Sequence, residues 1–292
     1  MYNGQGTYSS LPIGGIMSKT NLNFHLTFRP ERQYISSLLG SIDSCDGVDI
    51  QELSAATGIP TGKSRGKVEP TIRYTEYMGL LKQKKAGGKY TFWHTPLGQC
   101  VADEDLGLLD KLTLLAMHTM LVRPYAGAEL WAHVFYHIFP KYRNVLTKKQ
   151  FEKEIEIQFG PNVKLAPFYG TYQDIFSTLN IDDESIGVNP CKLYGDYVYL
   201  YAFVLFTYWN EWLHNAEQSE IRMASQTEIT SDHLAAIGFR CPFGWNEREE
   251  YIALELMADK HLIALNRQMI PFTIRRNVGE ENLVELLYSE LC

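Results

Sequence analysis

The stretch "LLKQKKAGGKYTFWHT", Leu80 to Thr95, restricts the fold more than any other part of the chain. Two β-prone arms flank an Ala-Gly-Gly turn, which is how a β-hairpin is written in sequence. What precedes the hairpin narrows the choice. After an alternating apolar stretch (Leu22, Phe24, Leu26, Phe28), Pro30 opens a helix whose apolar positions are Tyr34, Ile35, Leu38, Leu39 and Ile42. A second helix runs from about Asp49, a suitable N-cap, to Thr57, with Gly58 as its stop. A third begins near Glu69-Pro70 and continues through Ile72, Tyr74, Tyr77 and Met78 to Gly79. Three helices followed by a hairpin is the plan of a winged helix-turn-helix domain, with the hairpin as the wing.

Residues 196–292 repeat that plan. Asp196 to His214 reads as an amphipathic helix, "TSDHLAAIG" as a short helix capped by Thr230 or Ser231, and "NEREEYIALELMADK" as a third helix from an Asn246 cap. "HLIALNRQMIPFTIRR" then supplies a second hairpin. Between the two units, residues 103–179 look helical throughout, and "IDDESIGVNPCKLYGD" lacks periodicity and reads as a loop or linker. The expected fold is therefore mainly α. It comprises an N-terminal arm (1–20), a winged helix-turn-helix DNA-binding domain (21–102), a helical region (103–195) and a C-terminal winged-helix-like unit (196–292). The third helix of the last unit is acidic (Glu247, Glu249, Glu250, Glu255), which suits packing or homodimerisation better than a groove of DNA.

The approach to the third helix, "TGIPTGKSRGKVEP", contains Gly62-Lys63-Ser64, the ending of a nucleotide-binding phosphate loop. Such a loop needs a glycine five positions earlier and an apolar strand before it. The position holds Thr57, and Ile50, Leu53, Ala56 and Ile59 recur at helical spacing. A nucleotide site is disfavoured, and a small-molecule kinase or ATPase is a distant reading. A site for a nucleic-acid backbone is favoured. Net charge is −7, yet residues 62–89 carry eight basic and two acidic residues, a local +6 that leaves −13 for the rest. A positive patch on an acidic body presents one face to a polyanion. The expected phosphate contacts are Thr61, Lys63, Ser64, Arg65, Lys67 and Arg73 at the helix approach, with Lys82, Lys84, Lys85 and Lys89 on the wing. Contacts of this kind bind without sequence preference and weaken with salt.

The chemistry-bearing candidates are weaker. His133 and His137 stand four apart, a metal-compatible spacing, but among apolar neighbours. Asp182, Asp183 and Glu184 offer carboxylates to a magnesium ion, although acidic triplets in loops are usually just solvated. His25, Arg29, Glu31 and Arg32 form a compact polar group that either touches phosphate or clasps the arm to the core. Five scattered cysteines, Cys45, Cys100, Cys191, Cys241 and Cys292, have neither zinc spacing nor a disulfide framework and read as reduced. No apolar run approaches the roughly 20 residues that span a bilayer, so a cytoplasmic protein is expected.

The segments "NFHLTFRPER", "GIPTGKSRGKVEPTIRYTEYMGLL", "HTPLGQCVADED" and "NRQMIPFTIRR" together resemble the SspB-type family of bacterial DNA-phosphorothioation proteins, from about Leu22 to Arg276. The family serves systems that replace a non-bridging phosphate oxygen with sulfur in defence against phage, beside a cysteine desulfurase and ATP-using partners. The resemblance implies a component that engages double-stranded DNA and nicks one strand, with Mg2+ as cofactor. It brings no catalytic or metal-ligating residues with it. The other reading is a non-catalytic winged-helix DNA-binding adaptor or transcriptional regulator.

Overall fold

The computed structural model describes residues 22–62, 66–217 and 224–291. The first unit begins with α1 (Arg32–Leu39), which buries Ile35, Leu38 and Leu39 along one side. The alternating stretch before it folds into turns, not a strand, and seats Phe24 against Tyr74, Tyr77 and Trp131. Helix α2 (Ile50–Thr57) starts in a capping box, with Asp49 accepting from the Gln51 and Glu52 amides while Glu52 accepts from the Asp49 amide. Such a cap is worth about 1 kcal/mol. It ends at Gly58, whose φ of 71° is left-handed. Helix α3 (Val68–Tyr77) starts slightly before Pro70, which sits in its first turn where no amide is needed.

The wing is an antiparallel pair, β1 (Leu81–Ala86) and β2 (Lys89–His94), in the register Leu81 opposite His94 through Ala86 opposite Lys89. Gly87 and Gly88 both take positive φ, as a two-residue hairpin turn matching strand twist requires. Val48, between α1 and α2, exchanges both backbone hydrogen bonds with Tyr90 of β2 and anchors the wing to the body. A short pairing residue between the first two helices completes the winged-helix topology.

Helices α4 (Pro96–Glu104) and α5 (Lys111–Val122) follow, α5 being buried almost all round. Helix α6 (Glu129–His133) runs into a π-helical turn over Val134–Ile138 and then α7 (Phe139–Lys141). Next come β3 (Val145–Thr147), α8 (Lys148–Phe159), α9 (Ala166–Asp174), β4 (Leu179–Ile181) and β5 (Ser185–Val188), with the strands in the order β3-β5-β4. This small sheet corrects the helical and loop reading of residues 103–196. Its strands have only three or four residues, too short for alternation to register. Thr147 still caps α8 as expected, in a capping box with Gln150.

The last unit repeats the first. Helix α10 (Val198–Asn215) precedes β6 (Glu228–Thr230), α11 (His233–Ile237), α12 (Glu247–Asp259), β7 (Ile263–Asn266) and β8 (Thr273–Arg276). The sheet order β6-β8-β7 has the strand between the first and second helices paired with the far wing strand, as Val48 pairs with Tyr90. α12 starts in the Asn246 capping box. α11 lacks the expected Thr230 or Ser231 cap and starts after Asp232 with no side-chain cap. A short α13 (Glu280–Val284) packs on α10 and α4. Buried apolar residues from Ile35 to Leu287 form one cluster, including Trp131, Trp209 and Trp212. The fold is mainly α, as expected. Among the described residues no helix is long and apolar enough to cross a membrane.

Candidate nucleic-acid interface

The register of the wing decides which of its side chains meet solvent. Successive residues of a strand point to opposite faces, so Leu81, Gln83 and Lys85 share one face and Lys82 and Lys84 the other. Their partners follow suit, and Tyr90 and Phe92 lie buried on the inner face. The outer face carries Lys82 opposite Trp93, Lys84 opposite Thr91, and Lys89 beside the turn. All three lysines are exposed, and among the described residues none has an ion pair. Trp93 is 48% exposed, unusual for an indole. A row of free ammonium groups beside an exposed aromatic ring combines phosphate attraction with a stacking surface.

The remaining basic residues are placed differently. Lys85 is on the inner face, where its Nζ donates to Glu69 Oε1 at 2.8 Å and lies 4.6 Å from the Tyr90 ring centroid. Tyr90 also donates to Glu69, and the Lys85 pKa is held above its ordinary value first by the hydrogen bond to Glu69 and then by Tyr90. Lys67 donates to Glu31 Oε1 at 2.6 Å, and Arg73 to Glu76 Oε2 at 2.7 Å. Thus Lys67, Arg73 and Lys85 each have a carboxylate partner, half-exposed at most. The Thr61 hydroxyl reaches Gln51 Oε1 at 3.3 Å. Lys63, Ser64 and Arg65 lie outside the described residues.

The base of the segment that carries them is well defined. The Lys67 amide donates to Pro60 O at 2.9 Å, bringing the two ends of residues 60–67 together. Gly66 has φ of 56°, and a Cβ there would overlap the backbone of Pro60, Thr61 and Gly62. Glycine is therefore needed at 66 for both conformation and space. The closed neck stands at the N-terminus of α3, where Lys67 is the N-cap.

The other candidates have structural roles. His25 is fully buried, its ring edge-on to Phe24 and Trp131, and burial pushes its pKa down to about 4. Arg29 pairs with Asp174 at 2.5 Å, and Arg32 donates to the Asp174 carbonyl at 3.2 Å. This group clasps the approach to α1 onto α9. His133 and His137 stack at 4.9 Å, and burial lowers the pKa of both, His133 to about 4. The neighbouring Glu154 is engaged by Lys141 and Tyr142, each at 2.7 Å. Asp182 accepts from the amides of Glu184 and Ser185 and from the Ser185 hydroxyl, so its carboxylate holds the β4–β5 turn. Among the described residues no three His, Cys, Asp or Glu side chains come together in one cluster. The described cysteines are free.

Trp93 was not singled out in the sequence, although the parity of "KYTFWH" marks it: if Tyr90 and Phe92 point inward, Trp93 points outward.

No family model matches the chain, and no curated protein does. Two solved structures match it over 93% of this chain and 88% of theirs, each with 14% sequence identity. One is a crystal structure of SspB bound to magnesium ion, with a TM-score of 0.65. The other is a crystal structure of SspB, with a TM-score of 0.64. Over that span this chain shares the fold of the SspB structures.

Proposed function

We propose that this chain binds double-stranded DNA through the outer face of its β1–β2 wing and serves as the DNA-engaging component of a DNA phosphorothioation system. The observation that carries the reading is the row of Lys82, Lys84 and Lys89, exposed and without an ion pair among the described residues, beside the open indole of Trp93. An SspB fold and the four sequence segments that resemble the SspB-type family support the system. Its partners there are a cysteine desulfurase and ATP-using proteins, and its activity is the opening of one DNA strand for sulfur insertion.

Phosphodiester hydrolysis of that kind normally uses a divalent ion to polarise the phosphate and activate water. A solved SspB is magnesium ion-bound, whereas the described residues here assemble no ligand set of three. What this chain's own described side chains supply is the hold on the backbone. The second reading is a non-catalytic adaptor or regulator using the same wing.

Incubation with supercoiled plasmid, with magnesium or with chelator, separates the two. Open-circular product that depends on magnesium supports nicking. Binding without product in any condition supports the adaptor. No binding at all sinks both.

A further inference from the structure

A cavity of about 640 Å3 opens between the wing, the start of α4, the end of α5, and helices α10 and α13. Its floor is apolar: Leu81, Leu97, Met120, Phe203 and Val284 are buried, with Tyr77 alongside. Charged groups line its mouth, but most of the carboxylates are engaged. Glu76 holds Arg73 at 2.7 Å, and Glu280 accepts from Thr207 and Asn210, each at 2.7 Å. On the cationic side, Arg123 Nε pairs with Glu211 Oε1 at 3.4 Å. Lys82 has no ion pair among the described residues, and Glu281 is an exposed carboxylate at the same mouth. Lys82 is therefore the cation left to meet a ligand, above an apolar floor.

A cavity of this size, with an anion-attracting edge and an apolar base, fits a molecule with a phosphate at one end and a flat, weakly polar body at the other. That molecule is a nucleotide. Lys82 also belongs to the outward lysine row of the wing. A backbone held along that row passes the mouth of the cavity, so the nucleotide arrives attached to DNA. We propose that the cavity receives one nucleotide unstacked from the DNA held by the wing. The base faces the floor of Leu97, Met120 and Phe203, and its phosphate lies against Lys82. Burial of the base and this charge contact offset the unstacking cost, which is lowest at a damaged, mismatched or single-stranded position. The inference rests on the DNA-binding reading above.

Ala126 and Glu281 both line the mouth and both are exposed, so either accepts a large side chain without disturbing the core. Ala126→Trp and Glu281→Trp are each compared with the unaltered chain on duplexes carrying 2-aminopurine at successive positions of one strand. Anisotropy of a dye on the same duplexes reports binding. The unaltered chain should bind and raise 2-aminopurine emission severalfold at one or more positions. Both tryptophan variants should bind within a small factor of the unaltered chain and lose the rise. Retention of the rise in both variants overturns the cavity as the receiving site. Binding without any rise in the unaltered chain overturns the inference and leaves the DNA reading standing, whereas no binding overturns both. Calorimetric titration with dAMP distinguishes free nucleotide from DNA: saturable uptake of dAMP that Ala126→Trp abolishes, in a chain that leaves duplex emission unchanged, replaces the extruded nucleotide with a free one and overturns the proposal.

Discussion

Lys82 and Trp93 stand directly opposite each other on the outer face of the β1–β2 hairpin, one a free ammonium and the other an indole 48% exposed. Neither is needed by the core, because Tyr90 and Phe92 supply the buried face of the same strand. On the proposed reading these two open side chains are part of the surface that meets DNA.

Replacement of Trp93 by alanine should therefore weaken DNA binding while sparing stability. Stacking of a base on an aromatic ring is worth roughly 1–3 kcal/mol. The loss should be larger for DNA with an unpaired base than for intact duplex. Anisotropy titrations on both substrates, with a thermal melt of the variant, provide the check. A melt lowered as much as the affinity would make Trp93 a packing residue instead.

Gly66 should resist substitution. Its φ of 56° and the overlap of a Cβ with Pro60, Thr61 and Gly62 predict that Gly66→Ala costs about 1 kcal/mol or more. Gly195→Ala, where a Cβ meets open space, is the matched control and should leave the midpoint unchanged. Equal melting of the two variants would contradict the closed neck between Pro60 and Lys67.

Acid should destabilise the protein well above the carboxylate range. His118 is fully buried, with Nε2 3.0 Å from the Pro242 carbonyl, and burial lowers its pKa to about 4. Unfolded, an imidazole titrates near 6.5. The folded pKa is the lower one, so the unfolded chain takes up the proton first. The stability is fully present above about pH 6.5 and is lost as pH falls toward 4, by up to about 1.4 kcal/mol per pH unit for one such group. His25 and His133, lowered by burial in the same way, act in the same direction. Thermal melts from pH 7.5 to 4.5 should show a steep decline that is shallower in His118→Phe. Parallel declines would contradict a neutral buried His118.

The winged-helix plan was legible because its punctuation is local: Asp49 with Glu52, Gly58, Pro70, the paired glycines at 87 and 88, and Asn246 with Glu249. The central sheet was not, since three- and four-residue strands carry no readable period and β3 pairs with β5 across about 40 positions, as Leu146 does with Ile186. The surplus of positive charge at 62–89 was equally plain in the sequence, but its availability was not. Lys67 finds Glu31 and Lys85 finds Glu69 only through the folded chain, 36 and 16 positions away. Charge is counted in one dimension and neutralised in three, so the fold, not the count, leaves Lys82, Lys84 and Lys89 without an ion pair among the described residues.

The most direct measurement is the salt dependence of duplex binding by the unaltered chain and by Lys82→Glu/Lys84→Glu/Lys89→Glu. Each phosphate contact contributes about 0.9 to the slope of log K against log salt, so losing three should flatten it by about 3. Severe loss of affinity at low salt, a flatter slope and an unchanged melting midpoint are expected. Unaltered affinity and slope in the triple variant would contradict the wing as the DNA-binding face.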